Sequence, residues 1–107
     1  MTVTDTAPLG GAGPAEPTTV QLSGELDLVT CPALRDELHD VLRSSTRLLV
    51  LDLSSVTFCD ACGLSLLIDL QRCARQRGIV LALTQPRPCV SRLLRISGLE
   101  RSFPFVV

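Results

Sequence analysis

Leu48-Leu49-Val50-Leu51-Asp52-Leu53 leads through Ser54-Ser55-Val56-Thr57-Phe58-Cys59-Asp60 into Ala61-Cys62-Gly63-Leu64, and a helical pattern then runs to Gly78. This stretch decides the fold. Five of the first six residues are apolar and they do not alternate. That pattern predicts a central strand, buried on both faces, in a largely parallel sheet. Ser54 to Asp60 reads as a short loop. Leu66, Leu67, Leu70, Cys73 and Ala74 then recur at helical spacing, with Asp69, Arg72, Arg75 and Gln76 on the other side. Gly78 stands where a helix-terminating glycine belongs. The junction Cys59-Asp60-Ala61-Cys62-Gly63 therefore lies between a buried strand and a helix N-terminus. Unpaired N–H groups and the positive end of the helix dipole make such a junction a natural docking place.

Outward from this unit, Thr19 to Ser23 alternates as a strand, and Ser23-Gly24-Glu25-Leu26-Asp27 reads as a polar turn. Thr30 is an N-cap candidate, and Pro32 suits a first helical turn. Leu34, Leu38, Val41 and Leu42 mark an amphipathic helix ending near Ser44-Ser45. On the other side, Ile79 to Leu83 reads as a second buried strand. Pro86 and Pro88 open a helix with Val90, Leu93 and Leu94 inward and Gly98 as its stop. Phe103 to Val107 reads as a last strand that Pro104 confines to an edge. Residues 1–18, rich in Gly and Pro, are expected to be flexible, with Thr2-Val3-Thr4 a candidate edge strand. The expectation is an α/β fold: one domain over 19–107, a mostly parallel sheet of four to five strands with about three helices packed on it.

Two pieces of this sequence resemble the signatures of the STAS domain. Leu51 to Leu64 is similar to the core signature of the bacterial anti-sigma factor antagonists, usually an apolar strand followed by Phe-x-Asp-Ser-Ser-Gly-Leu. Leu22-Ser23-Gly24-Glu25-Leu26-Asp27 resembles a second signature of the same family. Two signatures in the right order are more specific than either alone, and the resemblance covers 19–107. It implies a regulatory binding module, not an enzyme. Its partner would be a histidine-kinase-like ATPase serving as anti-sigma factor. The partner surface would comprise Ser23, Gly24, Glu25, Asp27, Asp60, Ala61, Cys62 and Gly63. Asp60 would set the helix start, Ala61 and Cys62 would form the contact floor, and Gly63 would let the partner approach; the plainer alternative is that Asp60 only caps the helix and Gly63 only allows close packing. The resemblance also implies a further C-terminal helix, for which the sequence supplies no residues.

One departure matters. In the family, the first Ser after the Asp accepts a phosphate, whose added charge of about −1.5 to −2 breaks the docked surface. Here that position is Ala61, which has no hydroxyl, and the next is Cys62. The usual phospho-switch is therefore expected to be absent. Constitutive binding, control by expression or thiol chemistry, and a decayed paralogue all remain open.

Cys59-x-x-Cys62 at a helix N-terminus supports a rival reading, a thiol-responsive or redox protein, since a helix dipole lowers a thiol pKa. The Trp and Pro that usually accompany such a pair in thioredoxins are missing. Glu25, Asp27 and Asp60 raise the question of a metal, but no His lies near them in sequence, and hard cations favour more oxygen ligands. No cofactor or metal is expected.

Composition sets the outer bounds. The 107 residues suffice for one domain, and 46% are hydrophobic, with three Phe and no Trp or Tyr, so the core must be aliphatic. A net charge of −1 gives no footprint for nucleic acid or acidic membranes, and the arginines from Arg72 to Arg101 are scattered without aromatics. No apolar run approaches the ~20 residues of a membrane span. Five Cys without a signal-peptide pattern suggest reduced thiols and a cytoplasmic setting.

Overall fold

The structure is a computed structural model and describes residues 2–6, 18–44 and 47–106. The elements run β1 (Thr2–Thr6), β2 (Thr18–Leu26), α1 (Cys31–Ser44), β3 (Leu48–Cys59), α2 (Ala61–Gln76), β4 (Val80–Thr84), α3 (Pro88–Ser97), a short 3-10 turn (Leu99–Arg101) and β5 (Phe105–Val106). One sheet takes them in the order β1-β2-β3-β4-β5. β2 to β5 are parallel to one another, and β1 adds an antiparallel edge, with Val3 opposite Leu22. The α/β architecture expected from the sequence is thus present. Thr2–Thr6 is a strand longer than the expected Thr2–Thr4, although it lies inside the segment read as flexible; positions 7–17 of that segment lie outside the described residues.

The core follows from the strand period of two and the helix period of 3.6. Leu49, Leu51 and Leu53 of β3 point to the face that also carries Leu81 and Leu83 of β4 and Val20 and Leu22 of β2. Leu34, Leu38 and Leu42 of α1, Leu66, Leu67 and Leu70 of α2, and Val90 and Leu94 of α3 close over it as one continuous cluster. Each fully buried Leu contributes about 1.5–3 kcal/mol of transfer free energy. Leu93 and Cys73, read as inward, are only partly buried at the margin of that cluster.

β4 runs one residue later than the Ile79–Leu83 that was read, and among the described residues the last strand is only Phe105–Val106 of the expected 103–107. Two further boundaries differ for one shared reason. Ser54 to Cys59 is not a loop: β3 continues through it. Ser23 to Leu26 is not a turn: β2 continues to Leu26 and pairs with that extension, Ser23 opposite Ser55 and Leu26 opposite Cys59. Polar residues at half-exposed strand ends satisfy their backbone groups in the ladder as well as apolar ones do, so hydropathy alone misplaces the boundary. The register shifts twice along this extension, between Gln21 and Ser23 and between Gly24 and Glu25. Gly24 takes φ +95° there, a conformation that costs glycine little.

The end of α2 is as read. Gly78, at φ +71°, follows the last turn; its N–H donates to the Arg75 carbonyl and that of Ile79 to the Ala74 carbonyl. These are the two bonds of a Schellman motif, and Ile79 is buried behind them.

Candidate functional site

The extended β2 and β3 finish together at the carboxyl end of the parallel strands, where α2 begins. Asp60 terminates β3 in an extended conformation (φ −119°, ψ −168°), and its Oδ1 accepts the N–H groups of Cys62 (2.9 Å) and Gly63 (3.2 Å). It is the N-cap that the sequence suggested, and it satisfies two of the donors a helix start leaves open. The Asp60 N–H donates to the Leu26 carbonyl at 3.2 Å. That bond ties the helix start to the end of β2.

Gly63 is buried, as the close-packing alternative has it and not as a point of partner access. A Cβ at this position would stand 2.7 Å from Cys59 Sγ, 2.9 Å from Leu26 Cβ and 3.1 Å from the Leu26 carbonyl oxygen. The glycine is required by packing inside the molecule: it lets α2 seat against the ends of β2 and β3. Ala61, by contrast, is exposed and Cys62 is half-buried, so these two side chains form the outward surface of the first turn.

The loop between β2 and α1 is built around Asp27. Its Oδ1 accepts the N–H groups of Val29 and Thr30, each at 3.0 Å. The Thr30 amide is the main reason the Asp27 carboxyl is held below the ordinary carboxylate range; its hydroxyl adds to this and burial opposes it. Thr30 precedes the first residue of α1, as an N-cap would. Its hydroxyl is nevertheless engaged in the loop, donating to the Glu25 carbonyl (2.7 Å) and accepting from the Asp27 N–H (3.1 Å). Glu25 is exposed, while Ser23, Gly24 and Asp27 are half-buried.

The sequence reading did not single out three residues that this geometry brings to the surface. Leu28 and Val29 are 72% and 86% exposed and Phe58 is 47% exposed. Leu28 borders a groove of about 190 Å³ with Cys31, Pro32, Arg35, Cys62 and Ser65. Val29 borders a second groove, of about 460 Å³, with Glu25, Asp27 and Thr57. Exposed apolar side chains thus stand beside the acidic Glu25 and Asp27, with Phe58 opposite Glu25 in the strand register. The signal was available in the sequence as two apolar residues set in the loop Asp27-Leu28-Val29-Thr30, outside any helical or strand period.

The thiols of this region are all free. Cys59 Sγ packs toward Gly63 and donates weakly to the Asp60 carbonyl (3.6 Å). Burial, with the charge of Asp60 in addition, pushes its thiol up to about 12. Burial likewise raises Cys31. Thiolates are the nucleophiles, so the redox reading of Cys59 and Cys62 finds no support here. The arginines Arg72, Arg75, Arg77, Arg87, Arg92, Arg95 and Arg101 are all exposed, as a solvated face should be. No helix among the described residues is long and apolar enough to cross a membrane.

Comparison with known proteins agrees with this geometry. The family model described as "Mlab, STAS domain" matches residues 11–107. An anti-sigma F factor antagonist of Paenibacillus polymyxa is 34% identical over 86 residues, which cover 79% of this chain and 74% of that protein. An anti-sigma-B factor antagonist of Staphylococcus aureus is 30% identical over 81 residues, covering 76% and 75%. The crystal structure of an anti-sigma factor antagonist from Mycobacterium paratuberculosis superposes with a TM-score of 0.77 at 29% identity, covering 97% of this chain and 85% of that one. The paired signatures at Leu22–Asp27 and Leu51–Leu64, the sheet they build together and these relatives lead to one statement: this chain is a STAS domain protein of the anti-sigma factor antagonist family.

Proposed function

We propose that the protein is a regulatory binding module that sequesters an anti-sigma factor, catalyses nothing and works in the cytoplasm. The partner is of the histidine-kinase-like ATPase type. The contact surface is the start of α2 at Asp60, Ala61 and Cys62 together with the β2 end and loop at Ser23, Gly24, Glu25 and Asp27. Leu28, Val29 and Phe58 add apolar contacts at its rim. Glu25 and Asp27 give the surface a negative edge suited to basic groups on the partner.

The observation that carries this reading is Ala61, exposed in the first turn of α2 directly after the Asp60 cap. It matches an unphosphorylated Ser in charge and nearly in size, so the surface stays in its binding form whether or not ATP is present. The names of the P. polymyxa and S. aureus relatives support an anti-sigma factor as the partner class.

The test is calorimetric titration of the reduced protein with the kinase-like ATPases of its own genome, with and without ATP. Tight binding that persists through prolonged incubation with ATP is expected. Binding that decays under ATP would mean that another hydroxyl, such as Ser65 or Thr57, accepts phosphate. Failure to bind any of them would overturn the assignment.

A further inference from the structure

Away from the docking surface, α1 and α2 bring together three side chains that no reading of the sequence had joined. His39 lies on α1; Asp69 and Cys73, four residues apart, share one face of α2. One donor atom from each, an imidazole nitrogen, a carboxylate oxygen and the Cys73 sulfur, all fall within 4.8 Å of one another. His39 Nε2 stands 3.3 Å from Asp69 Oδ2. Tetrahedral ligation at the usual zinc–nitrogen and zinc–oxygen distances puts two such donors about 3.3 Å apart. All three residues are half-buried, so the cluster is open to ions from solvent on one side and backed by the helix seam on the other.

We propose that His39, Asp69 and Cys73 form a zinc-binding site that bridges α1 and α2. The donor set is the argument. Imidazole nitrogen, carboxylate oxygen and thiolate sulfur together suit a borderline-soft divalent ion, and neither Mg²⁺ nor Ca²⁺ takes sulfur. Three protein ligands leave a fourth position for water. Binding displaces the Cys73 thiol proton to solvent and uses the neutral form of His39. Arg35 works against the ion. Its Nε lies 3.6 Å from Asp69 Oδ2, the oxygen that faces His39, so the guanidinium and the metal compete for one carboxylate. The site sits on helix surfaces distinct from the β2 end and the first turn of α2, so its occupancy leaves the docking residues in place. What it changes is the α1–α2 seam, which a bound ion would clamp.

The experiment uses the reduced full chain and Zn²⁺ alone, titrated against a chromophoric chelator, with Co²⁺ absorption as a second readout. One Zn²⁺ per chain is expected, with a thiolate-to-cobalt charge-transfer band. His39→Ala, Asp69→Asn and Cys73→Ser should each weaken binding at least about tenfold, the scale on which even outer partners of a metal site act. Cys62→Ser and Cys89→Ser should leave it unchanged. Arg35→Gln should tighten it several-fold. Circular dichroism of each variant separates loss of the site from loss of the fold, since all three ligands are partly exposed and their replacement leaves the aliphatic core intact. Absence of zinc binding would overturn the proposal and leave the His39–Asp69 contact as a hydrogen bond only. Binding that survives His39→Ala and Cys73→Ser, or that disappears with Cys62→Ser instead, would overturn it equally.

Discussion

Replacing Gly63 by Ala tests whether the junction is set by internal packing. Gly63 has no positive φ, so helix propensity alone favours Ala by about 0.5–1 kcal/mol. The structure predicts the opposite outcome. The new methyl would lie 2.7 Å from Cys59 Sγ and 2.9 Å from Leu26 Cβ, and neither can be accommodated without movement. The Leu26 carbonyl, 3.1 Å away, is held by the Asp60 N–H and cannot retreat without loosening the helix start. Overpacking of this kind costs typically ~1–3 kcal/mol. Set against the propensity gain, the net destabilisation is centred near ~1 kcal/mol and reaches about 2.5 kcal/mol, the central figure being roughly 4–8 °C in Tm for a domain of this size. Urea denaturation followed by circular dichroism measures it directly. The double variant Cys59→Ala/Gly63→Ala removes the shortest contact and should regain part of the loss, giving a non-additive cycle. A Gly63→Ala protein as stable as wild type, with an unchanged m-value, would refute the packing argument.

Other outcomes follow from the same geometry. Asp60→Ala removes the cap that serves Cys62 and Gly63 and should cost about 1 kcal/mol in the same denaturation assay, with weaker partner binding. Ala61→Ser places a hydroxyl at the position proposed as equivalent to the family's phosphoacceptor; incubated with the proposed kinase-like partner and radiolabelled ATP, it should incorporate phosphate while wild type does not. Asp27 has a folded pKa below its unfolded one, so its contribution to stability is present above about pH 4 and lost as pH falls through the folded value. The melting temperature of Asp27→Asn should therefore fall less steeply than that of wild type across that acid range. Cys59, raised from 9.0 to about 12, contributes in the opposite sense. Its share of stability is present below about pH 9 and lost as pH rises toward 12, and at pH 8 iodoacetamide should alkylate the exposed Cys89 well before Cys59, as peptide mass mapping would reveal.

How far the sequence reveals this molecule depends on which forces act at each position. Leu48–Leu53 and the Leu66, Leu67, Leu70 stripe declare strand and helix because burial dominates their energetics and burial leaves a period. The stretches Ser23–Leu26 and Ser54–Cys59 do not, because their strand character comes from backbone pairing with each other across the sheet, and pairing between distant polar segments leaves no local trace. Asp60 was legible as a cap from its place before Ala61. The inward role of Gly63 was legible only as one of two readings, since the contacts that decide it come from Leu26 and Cys59 on other elements. The grouping of His39 with Asp69 and Cys73 was not legible for the same reason: they are remote from it in sequence and adjacent only once α1 lies beside α2.

The single hydrogen bond from the Asp60 amide to the Leu26 carbonyl has a bearing on the lifetime of the protein. It joins two segments that nothing covalent holds near each other, so the proposed docking floor exists only while both are seated. Local opening at such a joint would expose the chain there to proteases. A ligand that grips both sides suppresses that opening in proportion to its own concentration over its Kd. Copies engaged with a partner would then outlive idle ones, and turnover would trim the pool toward the number of partners present.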